Sequence, residues 1–244
     1  MIKKGIALMM CLATISIANG DEARNRISAM LSEVTSGVEV VNIDQTPVSN
    51  IMKVELSNGK YIYITRDAEF LFPGKMLQHT ERGLTDLTEQ DLALTRKAKL
   101  SNVDLSETIT FNANNDQKAE IFVFTDVSCA YCKKLHRHID GINEAGITVH
   151  YLAFPRAGAQ APAGQLMSEV WCADDRRLAL TAAKQDGELT QTPTACDTPV
   201  AKQHELGLVL GVTGTPGVYD SEGRHLGGYL TPAQLRQALI ERGP

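Results

Sequence analysis

The sequence predicts a small antiparallel sheet with one helix, joined to a larger α/β domain with a helical insertion. Short strand patterns separated by turns fill residues 38–72, and strand and helix patterns alternate from about residue 106. In addition, Cys129 and Cys132 directly follow an apolar strand pattern and open a helical one. The second part is therefore expected to carry a reactive site at the start of a helix.

Residues 1–20 have the pattern of an export signal. Two lysines precede the apolar stretch 6–17, and small residues then suit cleavage before Asp21. The stretch is too short to favour spanning a bilayer. Cys11 within it suggests a lipid anchor as an alternative, but the methionine before it does not suit that processing. We therefore expect an exported chain in an oxidising compartment.

Charge and length narrow the class of protein. The chain has 244 residues and a formal net charge of −5, with acidic and basic residues interspersed and no basic block. A nucleic-acid partner is therefore not expected. Roughly 220 residues remain after cleavage, which fits two domains better than one.

Residues 21–80 are predicted to form the N-terminal domain. An amphipathic helix over 21–36 is followed by four strand patterns, at 38–43, 51–56, 60–65 and 69–72. The turn at 57–59 joins the second and third strands as a hairpin. So small a module buries little core and has no cysteine to staple it. We therefore expect it to associate with a second copy of the chain.

A linker helix and the α/β domain complete the chain. The linker is predicted over 81–105, with its helix over 85–100, and the α/β domain over 106–244. The predicted elements of that domain are strand 119–125, helix 129–144, strand 147–154, a helical stretch 162–185, helix 202–210, strands 217–220 and 224–229, and a final helix that Thr231 caps and Pro232 begins.

Cys129 and Cys132 are predicted to form a redox pair. The first N–H groups of a helix and its dipole favour negative charge, so we expect Cys129 to have a lowered pKa and to be the more exposed thiol. Its thiolate would attack disulfides, and Cys132 would resolve the mixed disulfide. Half a zinc site, a haem attachment site and a structural disulfide are the alternatives. They fit less well, because a second ligand pair is missing, Lys133 stands where haem attachment needs His, and so short a loop is strained.

Cys172 and Cys196 are the other cysteines of the mature chain. Neither has a helix-start context that would activate it. Joining them would close a loop of about 25 residues and stabilise the fold by roughly 3.5 kcal/mol in the chain-entropy model. A structural disulfide is therefore favoured, with a second redox pair as the alternative.

Three further positions stay open from the residues alone. Pro216 begins a strand, either after an ordinary trans turn or with a cis bond. His136 fits packing on the helix better than proton transfer, because an activated thiolate needs no base. Asp126, at the end of the apolar strand, is either solvated or a proton acceptor.

Five segments carry a resemblance that extends, with the N-terminal module, over nearly the whole mature chain. They are residues 122–126 (FVFTD), 129–136 (CAYCKKLH), 146–156 (GITVHYLAFPR), 171–173 (WCA) and 211–216 (GVTGTP). Together they resemble the DsbC/DsbG family of periplasmic thiol:disulfide interchange proteins. Relatives usually have Gly where Ala130 stands, and a His is common where Lys133 stands.

The resemblance implies a thioredoxin-fold catalytic domain with a helical insertion, a linker helix and a cystatin-like dimerisation domain. These would form a V-shaped homodimer around an uncharged cleft. By position, it implies that Cys129 attacks, that Cys132 resolves, and that Thr215 and a cis Pro216 face the pair. It also implies that Cys172 and Cys196 form the structural disulfide.

The function implied by the resemblance is isomerisation of wrong disulfides in misfolded or misoxidised secreted proteins of the periplasm. Since the pair must be reduced, a membrane reductase of the DsbD type is implied as electron donor, and no cofactor or metal is expected. One alternative is a DsbG-like reductase of sulfenylated cysteines, against which Ala130 argues because that relative usually has Pro between its cysteines. The other is a holdase chaperone whose cysteines matter little.

Overall fold

The protein is described here by a computed structural model over residues 14–34, 37–81, 83–114, 116–185, 189 and 196–241. It contains two compact units, one up to Met76 and one from Leu77. Most of the predicted export signal, residues 1–13, lies outside the described residues. Among the helices of the described residues, none is both long and apolar enough to cross a membrane.

The first unit is a four-stranded antiparallel sheet with one helix. Its elements are α1 (Thr14–Val34), β1 (Val40–Gln45), β2 (Ile51–Leu56), β3 (Tyr61–Thr65) and β4 (Leu71–Pro73). Neighbouring strands in the chain are neighbours in the sheet, as hairpin connections require. Residues of β2 alternate between half-buried and buried, so one face of the sheet covers a core.

The core of the first unit lies between α1 and that face of the sheet. Ile27 and Leu31 are four residues apart on α1, which places both on one side of the helix. They are buried together with Val54 of β2 and Ile64 of β3. The predicted amphipathic helix is thus the element that covers the sheet.

β4 lies at the edge of this sheet and has an apolar surface. Pro73 fits an edge strand, because the missing N–H is not needed for further pairing. Phe70 just before the strand and Phe72 within it are 60% and 48% exposed. An apolar sheet edge of this kind is a surface that another chain can cover.

The second unit contains a five-stranded sheet with helices on both faces. Its elements are β5 (Leu77–Thr80), β6 (Gly83–Asp86), α2 (Leu87–Leu100), β7 (Ile109–Phe111), β8 (Ala119–Thr125), α3 (Ala130–His136), α4 (Ile139–Glu144), β9 (Ile147–Ala153), α5 (Pro162–Cys172), α6 (Arg176–Gln185), α7 (Val200–Val209), β10 (Gly217–Asp220), β11 (His225–Gly227) and α8 (Pro232–Arg236), which continues as a π-helical turn over Gln237–Glu241. The strand order is β11-β10-β8-β9-β7, in which β8 and β9 are parallel and the other pairs antiparallel; β5 and β6 form a separate hairpin.

The central strand β8 is buried on both faces. Ile121 and Val123 point into one apolar cluster, which includes Trp171 of α5. Phe122 and Phe124 point into a second cluster on the opposite face. Because both faces are covered, the strand reads as a continuous apolar run in the sequence.

The helix predicted as a linker, α2, packs along the second unit. Leu100 at its end is buried in the second apolar cluster, and Arg96 Nε donates to the carbonyl oxygen of Leu210 at 3.1 Å. Gly223, in the turn before β11, lies so close to α2 that a Cβ there would overlap the carbonyl oxygen of Ala93. α2 therefore contributes to the packing of the second unit.

Several elements differ from the sequence prediction. The helix predicted over 129–144 is two helices, because the backbone leaves the helical region at His138 (φ −102°, ψ 13°). The predicted stretch 162–185 is likewise divided into α5 and α6. The β5–β6 hairpin and β7 have strands of only three or four residues, too short to show a strand period in the sequence.

Candidate redox-active site

The loop after β8 fixes the position of Cys129. This residue is the N-cap of α3, with an extended backbone (φ −80°, ψ 121°). Its N–H donates to the carbonyl oxygen of Asp126 at 3.2 Å, and its own carbonyl oxygen accepts from the N–H of Lys133 at 3.0 Å. The sulfur is thereby held beside the first N–H groups of α3, which lack partners inside the helix.

Opposing effects set the pKa of Cys129. Burial of the thiol raises its pKa, because water no longer solvates the thiolate. Hydrogen bonding by Thr215, by the backbone N–H groups of Cys132 and Tyr131, and by the Cys132 thiol lowers it. The lowering effects prevail, and the pKa of Cys129 lies below that of an ordinary thiol.

The Thr215–Pro216 segment lies against Cys129. The peptide bond between these residues is cis, and the Cys129 thiol donates to the carbonyl oxygen of Thr215 at 3.1 Å. The Thr215 hydroxyl is buried, and its oxygen has no hydrogen-bond partner among the described groups. A carbonyl oxygen only accepts, so it favours the protonated thiol, whereas a hydroxyl can donate to a thiolate. The unpartnered hydroxyl is therefore the group of Thr215 that is available to donate to a Cys129 thiolate.

The two thiols differ in pKa rather than in exposure. Cys129 is 3% and Cys132 1% exposed, so the expected greater exposure of Cys129 is negligible here, because the Thr215 segment covers it. Burial raises the pKa of Cys132. The charge of Lys184 and hydrogen bonds from Thr125 and from the backbone of Asp126 offset this only in part. The site thus pairs one thiol that ionises readily with one that is held protonated.

Lys184 is a buried charge that was not predicted from the sequence. It lies on α6 and is 2% exposed, and its Nζ donates to Thr125 Oγ1 at 2.7 Å. Burial lowers its pKa to about 8, although negative charge on Cys132 and Cys129 acts in the opposite direction. Its position four residues after the buried Leu180 places it on the inner face of α6, and this spacing is the signal that would have identified it.

Asp126 orders the loop that leads to Cys129. Its carboxylate is buried and accepts hydrogen bonds from the N–H and hydroxyl of Ser128, both at 2.7 Å. It also accepts from the N–H and Nε of Arg156, both at 3.0 Å. Burial raises its pKa, but these bonds outweigh burial and the pKa lies below the ordinary value. The solvated alternative is thus wrong, and a carboxylate stabilised in its charged form is a poor proton acceptor.

His136 packs inside the second unit and is neutral. The Thr181 hydroxyl donates to the carbonyl oxygen of Arg177 at 2.9 Å, so it accepts from Nε2–H of His136, also at 2.9 Å. Nδ1 then accepts from the Tyr151 hydroxyl at 3.1 Å. Burial first, and then the charge of Lys184, lower the pKa of His136 to about 3. These contacts give His136 a packing role inside the second unit.

Cys172 and Cys196 are joined by a disulfide, with their Cα atoms 5.6 Å apart. Cys172 is the last residue of α5, so the bond ties the end of α5 to the segment before α7. The two cysteines are therefore not a second ligand pair for Cys129 and Cys132. Within the described residues, no group of three His, Cys, Asp or Glu side chains is arranged to hold a metal ion.

The sheet, the Cys-x-x-Cys helix and the facing cis-proline define the class: a thioredoxin-fold protein that exchanges thiols and disulfides. Residues 106–242 match a family described as a thioredoxin-like domain, and residues 16–89 match the N-terminal domain of disulfide bond isomerase proteins. The thiol:disulfide interchange protein DsbC of Pasteurella multocida is 35% identical over 235 residues, 96% of either chain. DsbC of Escherichia coli K12 is 35% identical over 241 residues, 98% of this chain and 97% of that one. The chain belongs to the DsbC family of thiol:disulfide interchange proteins.

A solved structure supports the same assignment. The disulfide interchange protein of Neisseria gonorrhoeae superposes with a TM-score of 0.50 and is 29% identical, covering 57% of this chain and 97% of that chain. The predicted family and the predicted fold class, a thioredoxin-fold domain with a small N-terminal domain, are therefore confirmed.

Proposed function

We propose that this protein is a disulfide isomerase that rearranges wrong disulfides in misoxidised secreted proteins. The observation that carries the proposal is the asymmetry of the cysteine pair: Cys129 is the N-cap of α3, where hydrogen bonds lower its pKa, whereas Cys132 is buried within α3, where burial raises its pKa. A low-pKa thiol supplies the attacking thiolate at neutral pH, and a protonated second thiol attacks slowly.

In the proposed first step, the Cys129 thiolate attacks one sulfur of a substrate disulfide. A bond forms between Cys129 and that sulfur, the substrate disulfide breaks, and the other substrate sulfur leaves as a thiolate. This thiolate then attacks a second disulfide of the same substrate. When the correct partner finally attacks the sulfur bound to Cys129, the substrate is released and Cys129 is a thiolate again. No net oxidation occurs.

Cys132 releases the substrate from a mixed disulfide that does not rearrange. Its thiolate attacks the Cys129 sulfur, the pair becomes a disulfide, and the substrate leaves reduced by two electrons. The raised pKa of Cys132 delays this step, so the bound substrate has time to isomerise. In this proposal, Thr215 and Pro216 line the face on which Cys129 meets substrate, and the Cys172–Cys196 disulfide is structural.

The proposal implies an electron donor and a compartment. A pair that has reduced a substrate is oxidised and must be reduced again before it can isomerise, and a membrane reductase of the DsbD type is the proposed donor. The sequence pattern of residues 1–20 supports export, and we place the activity in the periplasm.

We further propose a homodimer formed through the N-terminal domain, residues 21–80. The apolar edge of the sheet at β4, with Phe70 and Phe72 exposed, supports this, because association would cover it. Two catalytic domains would then face a common cleft. Isomerisation is slow, so a cleft that holds unfolded chain would keep the substrate in place while its disulfides exchange.

Refolding of scrambled ribonuclease tests the proposed function. We expect the reduced protein to restore ribonuclease activity catalytically, and the pre-oxidised protein to be inactive until a reductant is added. Cys129→Ser should abolish the activity, whereas Cys132→Ser should retain part of it, because rearrangement within the substrate needs only Cys129. If the Cys129→Ser, Cys132→Ser double variant restored as much ribonuclease activity as the unmodified protein, suppression of aggregation alone would explain the result. That outcome would favour a holdase and overturn the proposal.

A further inference from the structure

Lys184 is a buried cation whose burial needs an explanation. Its ammonium group donates to Thr125 Oγ1 at 2.7 Å and is 5.6 Å from the ring centroid of Tyr151. Within the described residues, no carboxylate lies within ion-pair distance of it. An ammonium without a partner anion is expensive to bury, so such groups are rare in cores.

The groups around Lys184 include those that change charge during thiol exchange. The charged and titratable groups that act on it are Cys132, Cys129, Asp126, Lys133, His136 and Tyr151. Asp126 is already engaged by Arg156 and Ser128, Lys133 repels the ammonium, and His136 is neutral. Of the two thiols, Cys132 acts more strongly on Lys184, and Lys184 in turn lowers the pKa of Cys132, so a Cys132 thiolate is the anion that the buried ammonium fits.

Thr125 connects the two groups. It is the last residue of β8, it is fully buried, and its side chain hydrogen bonds to Cys132. Because Lys184 donates to Thr125 Oγ1, that oxygen acts as an acceptor and its own proton is free to point elsewhere. A thiolate at Cys132, whose pKa Thr125 lowers by hydrogen bonding, can accept that proton.

We propose that Lys184 is a positioning residue for the resolving step, which acts through Thr125 to stabilise the thiolate of Cys132. The proposal rests on the proposed function only in taking Cys132 as the thiol that resolves mixed disulfides. The charge of Lys184 lowers the pKa of Cys132 against the effect of burial, which agrees with this role. Without Lys184, the buried Cys132 would ionise too rarely to release a trapped substrate.

Lys184 assists the step in which Cys132 resolves the mixed disulfide. The Cys132 thiol loses its proton, and the resulting thiolate attacks the Cys129 sulfur of the mixed disulfide. The Cys129–Cys132 bond forms, the bond from Cys129 to the substrate sulfur breaks, and the substrate thiolate takes up a proton. The cysteine pair is oxidised by two electrons and the substrate is reduced by two.

Ellman's reagent separates the two thiols in one experiment on the reduced full chain. Attack by Cys129 releases a first thionitrobenzoate and leaves an aryl mixed disulfide on Cys129, and attack by Cys132 then releases a second. For Lys184→Met we expect the second release at pH 7 to slow about tenfold, and its pH midpoint to rise by about one unit. The first release should change by less than about threefold, because Cys129 has its own hydrogen bonds.

Matched variants keep the test independent of folding defects. Lys202→Met removes an exposed lysine that pairs with Glu107 and should leave both releases unchanged. Thr125→Val should slow the second release, and Thr125→Ser, which keeps the hydroxyl, should release at the rate of the unmodified protein. If Lys184→Met does not fold, these two Thr125 variants test the proposal in its place. An unchanged second release in Lys184→Met and Thr125→Val, or equal slowing of both releases, would overturn the proposal. If the protein did not reactivate scrambled ribonuclease, the proposed function would be wrong, but the Ellman result would still hold, because that assay measures no isomerisation.

Discussion

The sulfur of Cys129 is nearly covered, which by itself would keep the thiol protonated. Its ionisation depends on groups from two parts of the chain. The N–H groups of Tyr131 and Cys132 belong to the helix start that the spacing of the cysteines predicts. Thr215 lies 86 residues along the chain from Cys129, so its contribution follows from the fold and from family resemblance, and spacing alone does not predict it.

Alkylation should therefore label Cys129 before Cys132. Because the pKa of Cys129 is lowered, its thiolate persists as the pH falls, whereas Cys132, whose pKa is raised, is protonated first. We expect a brief treatment of the reduced protein with iodoacetamide at about pH 6 to modify Cys129 almost exclusively. Peptide mapping by mass spectrometry measures the ratio.

A pair of Thr215 variants controls this measurement. Thr215→Ser keeps the hydroxyl and should keep the labelling rate of Cys129, and Thr215→Val should lower that rate severalfold. Preferential labelling of Cys132 in the unmodified protein would reverse the assignment of the nucleophile.

Helix α2 and the α3–α4 break are the elements for which sequence and structure diverge. The period of apolar residues identifies α2 as a helix, and Asp86 caps it, but the surface that it covers depends on Leu210 and Gly223, more than a hundred residues later. Similarly, the apolar positions of 129–144 continue across His138, so the pattern alone does not reveal that the helix is interrupted there. The sequence pattern thus predicts that these segments are helices, but it does not predict which residues they pack against or where a helix is interrupted.

The contact between α2 and the turn before β11 can be tested with glycine variants. Gly223 and Gly158 both have positive φ values, of 78° and 92°. A Cβ at Gly158 would meet no atom within 4 Å, whereas one at Gly223 would overlap the backbone of α2. We expect Gly158→Ala to lower the free energy of unfolding by about 1 kcal/mol, and Gly223→Ala by about 2–4 kcal/mol. Urea unfolding of both variants measures this, and equal losses would show that α2 is not held against this turn.

The disulfide between Cys172 and Cys196 should be structural, resisting reduction and stabilising the fold. A mild reductant that reduces an oxidised Cys129–Cys132 pair should leave the Cys172–Cys196 disulfide intact, because neither of its cysteines lies where a thiolate would be activated. Replacing both cysteines by Ser should lower the free energy of unfolding by about 2–4 kcal/mol while Ellman reactivity of Cys129 is retained. Mass analysis after stepwise reduction and alkylation distinguishes the pairs, and reduction of both at the same reductant concentration would favour a redox relay.

The part of the chain that the structure describes forms two units with separate cores. The first unit is small, and its β4 edge leaves Phe70 and Phe72 exposed. The small size of this module predicts association with a second copy of the chain, and the resemblance adds the expectation of a cleft. Since α2 packs on the second unit, a fragment that keeps this unit intact begins near Leu77 and not after the predicted linker.

Removing the first unit should separate thiol chemistry from isomerisation. We expect residues 77–244 to form a folded monomer that reduces simple disulfides like the full chain, and to lose most of the isomerase activity on scrambled ribonuclease. The full chain should sediment as a dimer. Sedimentation of both proteins beside both assays checks this, and full isomerase activity in the monomeric fragment would rule out a requirement for the dimer.

Trapping of the mixed disulfide identifies the attacking sulfur in a working reaction. The Cys132→Ser protein, mixed in reduced form with scrambled ribonuclease and quenched with acid, cannot resolve the intermediate that Cys129 forms. We expect a covalent complex to accumulate, with peptide mapping placing every substrate link on Cys129, and no complex with Cys129→Ser. A complex that forms equally in Cys129→Ser, through Cys132, would contradict the proposed mechanism.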